Sequence, residues 1–212
     1  LNIFMEGEFM KKLLKLFICL SFLGLAFVSK PESADATIQL YSNKWTWNYN
    51  GAAYYYLVGY LADDSWVSGI ISQAASNWFK TGYHTNPLYP MTRTTIQTNS
   101  PMDFHYDWWG YDVAGVVTYF IKGGTEVSFQ ESTGPTRNWL YCKIGLSDYE
   151  IYEGNMQANE VKRLVLHEMG HVFGLGHSDS TSDVMYEWVM QSSANAVSYN
   201  DSAALIQKLG GV

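Results

Sequence analysis

The sequence predicts an α+β fold, and three observations carry that expectation. Strand-like runs of β-branched and aromatic residues crowd into the stretch between residues 94 and 146. Helical periodicity of apolar residues occurs before that stretch and twice after it. Strands and helices therefore lie in blocks, without the strict alternation of a parallel βαβ sheet.

In chain order, "MKKLLKLFICLSFLGLAFVSKPESADA" at residues 10–36 reads as a signal peptide. Lys11, Lys12 and Lys15 precede an apolar run at 16–28, and Ala34-Asp35-Ala36 offers a small-x-small cleavage pattern. The run is short for a membrane span, no later segment is long and apolar enough for one, and the bulky Phe17 and Ile18 before Cys19 do not fit lipoprotein processing, so no membrane anchor is expected. Residues 1–9 make a poor start to a signal and are expected to lie outside the translated protein, with Met10 as initiator. A single domain at 37–212 remains.

Residues 63–80 read as a helix capped by Asp63 or Asp64, with Trp66, Ile70, Ala74 and Trp78 on one stripe and Gly82 after the last turn. A loop with Pro87 and Pro90 follows. Strands are expected at 94–98, 103–109, 113–121, 126–130 and 139–146, separated by Gly, Asn, Ser and Pro. In the last of these Leu140, Cys142 and Ile144 share a face, which makes Cys142 a small buried hydrophobe. Asn159 can cap a second helix through Val172, ended by Gly174, and a third helix opens at Asn200 and stops at Gly210.

The formal net charge of −7 argues against nucleic acid or an anionic membrane as partner. Residues 1–36 together hold four lysines and four acids, so their removal leaves that charge unchanged. It also leaves Cys142 as the only cysteine of the mature chain, which excludes an internal disulfide.

Three of the five histidines fall within "HEMGHVFGLGH" at 167–177. His167 and His171 stand four apart on the second helix and project from one face, within reach of one metal ion. Gly174 permits a sharp exit that returns the chain to deliver His177. Three neutral imidazoles with an open fourth position describe a catalytic zinc site, and Glu168 is placed to take a proton from zinc-activated water and pass it to a leaving amine. The pattern arises by accident in on the order of one chain in 10⁵ of this composition, so surface histidines gathered by chance explain it poorly.

"HEMGHVFGLGHS" together with Met185 resembles the metzincin zinc endopeptidases, and within them the matrixins. Ser178 directly follows the third histidine, Met185 lies eight positions beyond His177, "YNDSAALIQKLGG" resembles the closing helix of those catalytic domains, and "KWTWNYN" at 44–50 resembles their start. The resemblance implies a twisted mixed sheet packed with helices, an active-site helix, and a small C-terminal subdomain with a closing helix. It implies one catalytic Zn²⁺ held by His167, His171 and His177, Glu168 as catalytic residue, and Met185 as the apolar floor of a Met-turn. It further implies a protein or peptide substrate lying as an added strand near residues 113–121.

The sequence departs from that family in three places. Matrixins usually carry a pro-segment cysteine that blocks the zinc, whereas the signal here runs almost directly into the domain. An enzyme beginning at Thr37 is thus expected to be active on secretion. "MYEWVM" lacks the proline that often follows the Met-turn. His105-Tyr106-Asp107 has the form of a second-zinc motif, with only His84 left as a partner, and a plain strand histidine is the stronger reading. Structural Ca²⁺ is compatible with the family, and no motif marks a site for it. The expected product is a secreted, monomeric zinc endopeptidase. The alternative is a non-catalytic secreted zinc-containing binding module, which would have no use for Glu168. A zinc amidase would share the first motif positions without a reason for Gly174, His177 and Met185.

Overall fold

A computed structural model describes residues 37–47, 53–83, 91–108 and 113–210. The predicted signal segment and His84 lie outside the described residues, as do 1–9. The elements in order are β1 (Ala53–Leu57), α1 (Ser65–Phe79), β2 (Met91–Arg93), β3 (Met102–Asp107), β4 (Gly115–Phe120), β5 (Glu126–Val127), β6 (Phe129–Gln130), β7 (Gly134–Pro135), β8 (Tyr141–Ser147), α2 (Asp148–Tyr152), α3 (Ala158–Val172) and α4 (Tyr199–Leu209). Among the described residues six strands form one mixed sheet in the order β2-β1-β3-β8-β4-β5, and β6 pairs with β7 apart from it. The first four are mutually parallel, β4 runs antiparallel to β8, and β5 runs antiparallel to β4. The expected α+β class is what the chain adopts.

Register explains which face is covered. Phe104, Ile144 and Val117 align across β3, β8 and β4. Met102, Phe104, Cys142, Ile144 and Leu146 on that face are fully buried. Cys142 is the small buried hydrophobe expected, with its thiol pKa pushed well up by desolvation. Helix α1 packs on α3 and buries Val67, Ile71, Ala75 and Trp78, and the Trp78 indole N–H donates to Leu166 O at 3.0 Å. Asp64 caps α1 by accepting from the backbone N–H groups of Trp66 and Val67. Trp66, expected on the apolar stripe, is 39 % exposed and lies against Tyr152 instead.

Several boundaries differ from expectation for physical reasons. β1 escapes a pattern search because tyrosine fills successive positions of "AYYYL", yet its burial alternates, with Tyr55 and Leu57 inside. The expected strand at 94–98 is instead a turn followed by 3-10 helix at Gln97–Asn99. The Thr94 hydroxyl accepts the Ile96 N–H, a local bond that competes with a ladder. The run at 126–130 changes partner midway, Val127 pairing with Tyr119 and Phe129 with Pro135. Short helix α2, capped by the buried Ser147 hydroxyl, had no sequence expectation.

The C-terminal elements form a polar clasp. Ser198 caps α4, two positions earlier than the expected Asn200. Asp201, fully buried, accepts from the N–H groups of Val184 (2.9 Å), Met185 (3.3 Å) and Ser198 (2.8 Å). Burial nevertheless raises its carboxyl pKa to about 6 against the pull of those donors. Asp183, also buried, accepts from the Ser178 and Ser198 hydroxyls, each at 2.6 Å. Asp201→Ala would leave three backbone donors short of their acceptor, so we expect a loss of about 2–4 kcal/mol, read as a lower midpoint in urea; an unchanged midpoint would contradict the clasp.

Candidate metal centre

Helix α3 begins with the Glu160 carboxylate accepting the Gln157 N–H at 2.7 Å, two positions before the expected Asn159 cap. It ends in a Schellman motif. The Leu175 N–H reaches Gly170 O and the Gly174 N–H reaches His171 O, both at 3.0 Å, with Gly174 at φ 94°. Only glycine takes that conformation readily, and it turns the chain so that His177 comes back over the helix. Residues 39–41 pair with this return through Gln39 N–H to His177 O and Tyr41 N–H to Gly174 O, both at 3.0 Å.

The structure brings His167, His171 and His177 together, each offering a ring nitrogen within 4.8 Å of the others. The Nε2 atoms of His167 and His171 are 3.0 Å apart. Tetrahedral zinc at ordinary Zn–N lengths needs its nitrogens ~3.4 Å apart, a small adjustment. The His167 Nδ1 lies 2.8 Å from Val184 O and the His171 Nδ1 2.9 Å from Leu175 O. Carbonyls can only accept, so both Nδ1 atoms carry the proton and both Nε2 atoms keep a lone pair for a metal. Burial lowers the His167 pKa to about 4 and that of His171 well below its ordinary value, and the neighbouring imidazoles push the same way. The His177 pKa is also lowered, by desolvation, with the Glu187 and Glu131 carboxylates opposing it. The donor set is neutral at neutral pH and suits a divalent zinc ion.

Glu168, 5 % exposed, lines the same cleft. Desolvation raises its carboxyl pKa to about 8, which marks it as a strong base once ionised. β4 passes directly over it at Gly115, where an added Cβ would stand 2.6 Å from Oε1. Met185 is fully buried beneath α3. A Cβ on Gly170 would come within 2.1 Å of its sulfur, so this glycine, which no sequence pattern marks, makes room for the thioether against the helix. Gly115, Asp183 and Asp201 were likewise not foreseen, because each matters only through a distant neighbour.

The cleft encloses about 600 Å³ between the outer edge of β4 and the wall at 187–191, with His167, Glu168 and His171 at its base. That wall contains a 3-10 turn at Val189–Gln191, in the stretch where the sequence lacks proline. His105 and Asp107 pair with each other at 3.4 Å. Among the described residues no third metal-ligating side chain joins them, and the trio at 167–177 is the group that can hold an ion. No helix among the described residues is long and apolar enough to cross a membrane.

Residues 25–211 match the model of the matrixin family. A protein of Heliothis virescens ascovirus 3e, described as a candidate matrix metalloproteinase, is 28 % identical over 126 residues, which cover 55 % of this chain and 24 % of that relative. The chain thus spans about a quarter of the relative's length.

Two outcomes follow from this geometry. His177→Ala should lower zinc content, measured by atomic absorption after gel filtration, well below one ion per chain, and retention of a full equivalent would place the third ligand elsewhere. Met185→Ala removes a buried thioether that packs against the helix at Gly170. It should cost about 2–5 kcal/mol of stability while zinc remains bound, and an unchanged melting temperature would remove it from the floor.

Proposed function

Because this chain belongs to the matrixin family, we propose that it is a secreted zinc-dependent endopeptidase with His167, His171 and His177 as zinc ligands and Glu168 as general base. The observation that carries this reading is the convergence of three neutral imidazoles beside one buried carboxylate at the base of an open cleft. Bound zinc would supply Lewis acidity, acidifying a water and polarising the scissile carbonyl. Glu168 accepts the water's proton as it attacks and hands it to the departing amine, so one carboxylate serves as base and then acid. Its desolvated position makes the anion more basic than a surface carboxylate and brings its pKa near the working pH.

Substrate positioning falls to β4. β5 pairs only with Tyr119 and Phe120, so among the described residues the outer edge at 115–118 is unpaired. The Ser147 N–H donates to Ala114 O at 2.8 Å, which directs the even-numbered backbone groups of β4 toward β8 and the odd-numbered ones, at Gly115 and Val117, into the cleft. An extended peptide can add there as a further strand, its scissile bond over Glu168. Gly115 lets that peptide approach the carboxylate closely. The basic and apolar run at 10–36 supports export, and hence proteins or peptides outside the cell as substrates.

Glu168→Gln preserves shape and removes the base. Zinc content and melting should match the wild type, while hydrolysis of a quenched fluorescent peptide should fall by ~10²–10⁴-fold. Wild-type turnover in this variant would end the assignment of Glu168.

A further inference from the structure

Tyr41 reaches the metal centre from behind His171, and nothing in the sequence motif points to it. The residue is 3 % exposed, and its backbone is tied to Gly174 O and to the Lys208 ammonium. Its ring lies nearly parallel to the His171 imidazole, 5.9 Å between centroids at 13°, and its hydroxyl is 2.8 Å from Nδ1. Phe129 packs edge-on against the phenol, and Gly134 is bare where a Cβ would stand 2.2 Å from the Tyr41 ring. The surroundings are built to hold a tyrosine in this place.

The hydrogen-bond inventory assigns each proton once. His171 Nδ1–H faces two acceptors, Leu175 O at 2.9 Å and Tyr41 Oη at 2.8 Å. The Tyr41 hydroxyl interacts with that of Tyr119, whose O–H in turn donates to the His171 carbonyl at 3.4 Å. The circuit closes on His171 itself. In the opposite assignment Tyr41 would donate into an Nδ1 lone pair. That lone pair would then face Leu175 O, and the proton would move to Nε2, closing the nitrogen to a metal. A phenylalanine would satisfy the packing alone, whereas a buried hydroxyl is costly unless it is paired.

We propose that Tyr41 is a positioning residue of the metal centre, holding His171 in the Nδ1–H tautomer and fixing its ring plane so that Nε2 is presented to zinc, with Tyr119 orienting the phenol. The inference rests on the reading of His167, His171 and His177 as zinc ligands. It also makes the segment at 39–41 part of the site and not merely a leader into the domain.

The test is zinc affinity at fixed pH, measured by competition with a chromophoric chelator, alongside melting of the metal-free protein. Tyr41→Phe keeps the ring and deletes the hydroxyl. It should weaken zinc binding by ~10-fold or more, leave metal-free melting near that of the wild type, and leave KM for peptide unchanged at saturating zinc. Wild-type zinc affinity in Tyr41→Phe would overturn the proposal. If that variant does not fold, Tyr119→Phe decides: a smaller loss of zinc affinity supports the circuit, and none refutes it. A wild-type protein that binds no zinc would instead refute the ligand reading on which the proposal stands.

Discussion

Two imidazole lone pairs face each other across 3.0 Å in this protein, and a third imidazole stands beside them. Such an arrangement is unfavourable unless something forces it, since like-oriented lone pairs repel and neutral rings gain little from meeting edge-on. The force comes from the far side of each ring. Val184 and Leu175 supply carbonyls that accept from the Nδ1–H groups and leave the Nε2 lone pairs turned toward each other. Much of the C-terminal third of the fold serves to keep those two carbonyls where they are.

Val184 lies on a loop held by buried carboxylates. Asp201 grips its N–H and that of Met185, and Asp183 gathers the hydroxyls of Ser178 and Ser198. Burying two carboxylates costs free energy, and the backbone and hydroxyl donors offset it only when all are in place. The loop is therefore held in one geometry or released as a unit. Leu175 is held differently, by the Schellman turn at Gly174 and by the strand-like pairing of 39–41 with 174–177. The beginning and the end of the described domain thus meet at the same imidazoles.

Close approaches set the rest. Gly115 lets the sheet edge cross Glu168, and Gly170 lets Met185 pack against the helix that carries two of the histidines. Each places a functional side chain within contact distance of backbone that any Cβ would displace. The high raised pKa of Glu168 follows from the same crowding, which excludes water from its carboxylate. An open cleft above a dry base is what the proposed peptide hydrolysis needs, since it joins access for an extended chain to a strong local field.

Legible in the chain alone were the α+β class, the helix carrying "HEMGH", the turn at Gly174 and the grouping of three histidines with a carboxylate beside them. These are local properties: i,i+4 spacing, caps and a glycine conformation act within a few residues of chain. Element edges were legible only where periodicity was clean, so β1 hid in its tyrosines and 126–130 looked like one strand. The tertiary structure decided everything that depends on a distant partner. It set which carbonyl each Nδ1 meets, why Gly115 and Gly170 must lack a side chain, how Asp183 and Asp201 clasp the loop, and that Tyr41, 130 residues from His171, stands behind it. Tautomer, burial and basicity are properties of an environment, and no window of sequence contains that environment until the chain has folded back on itself.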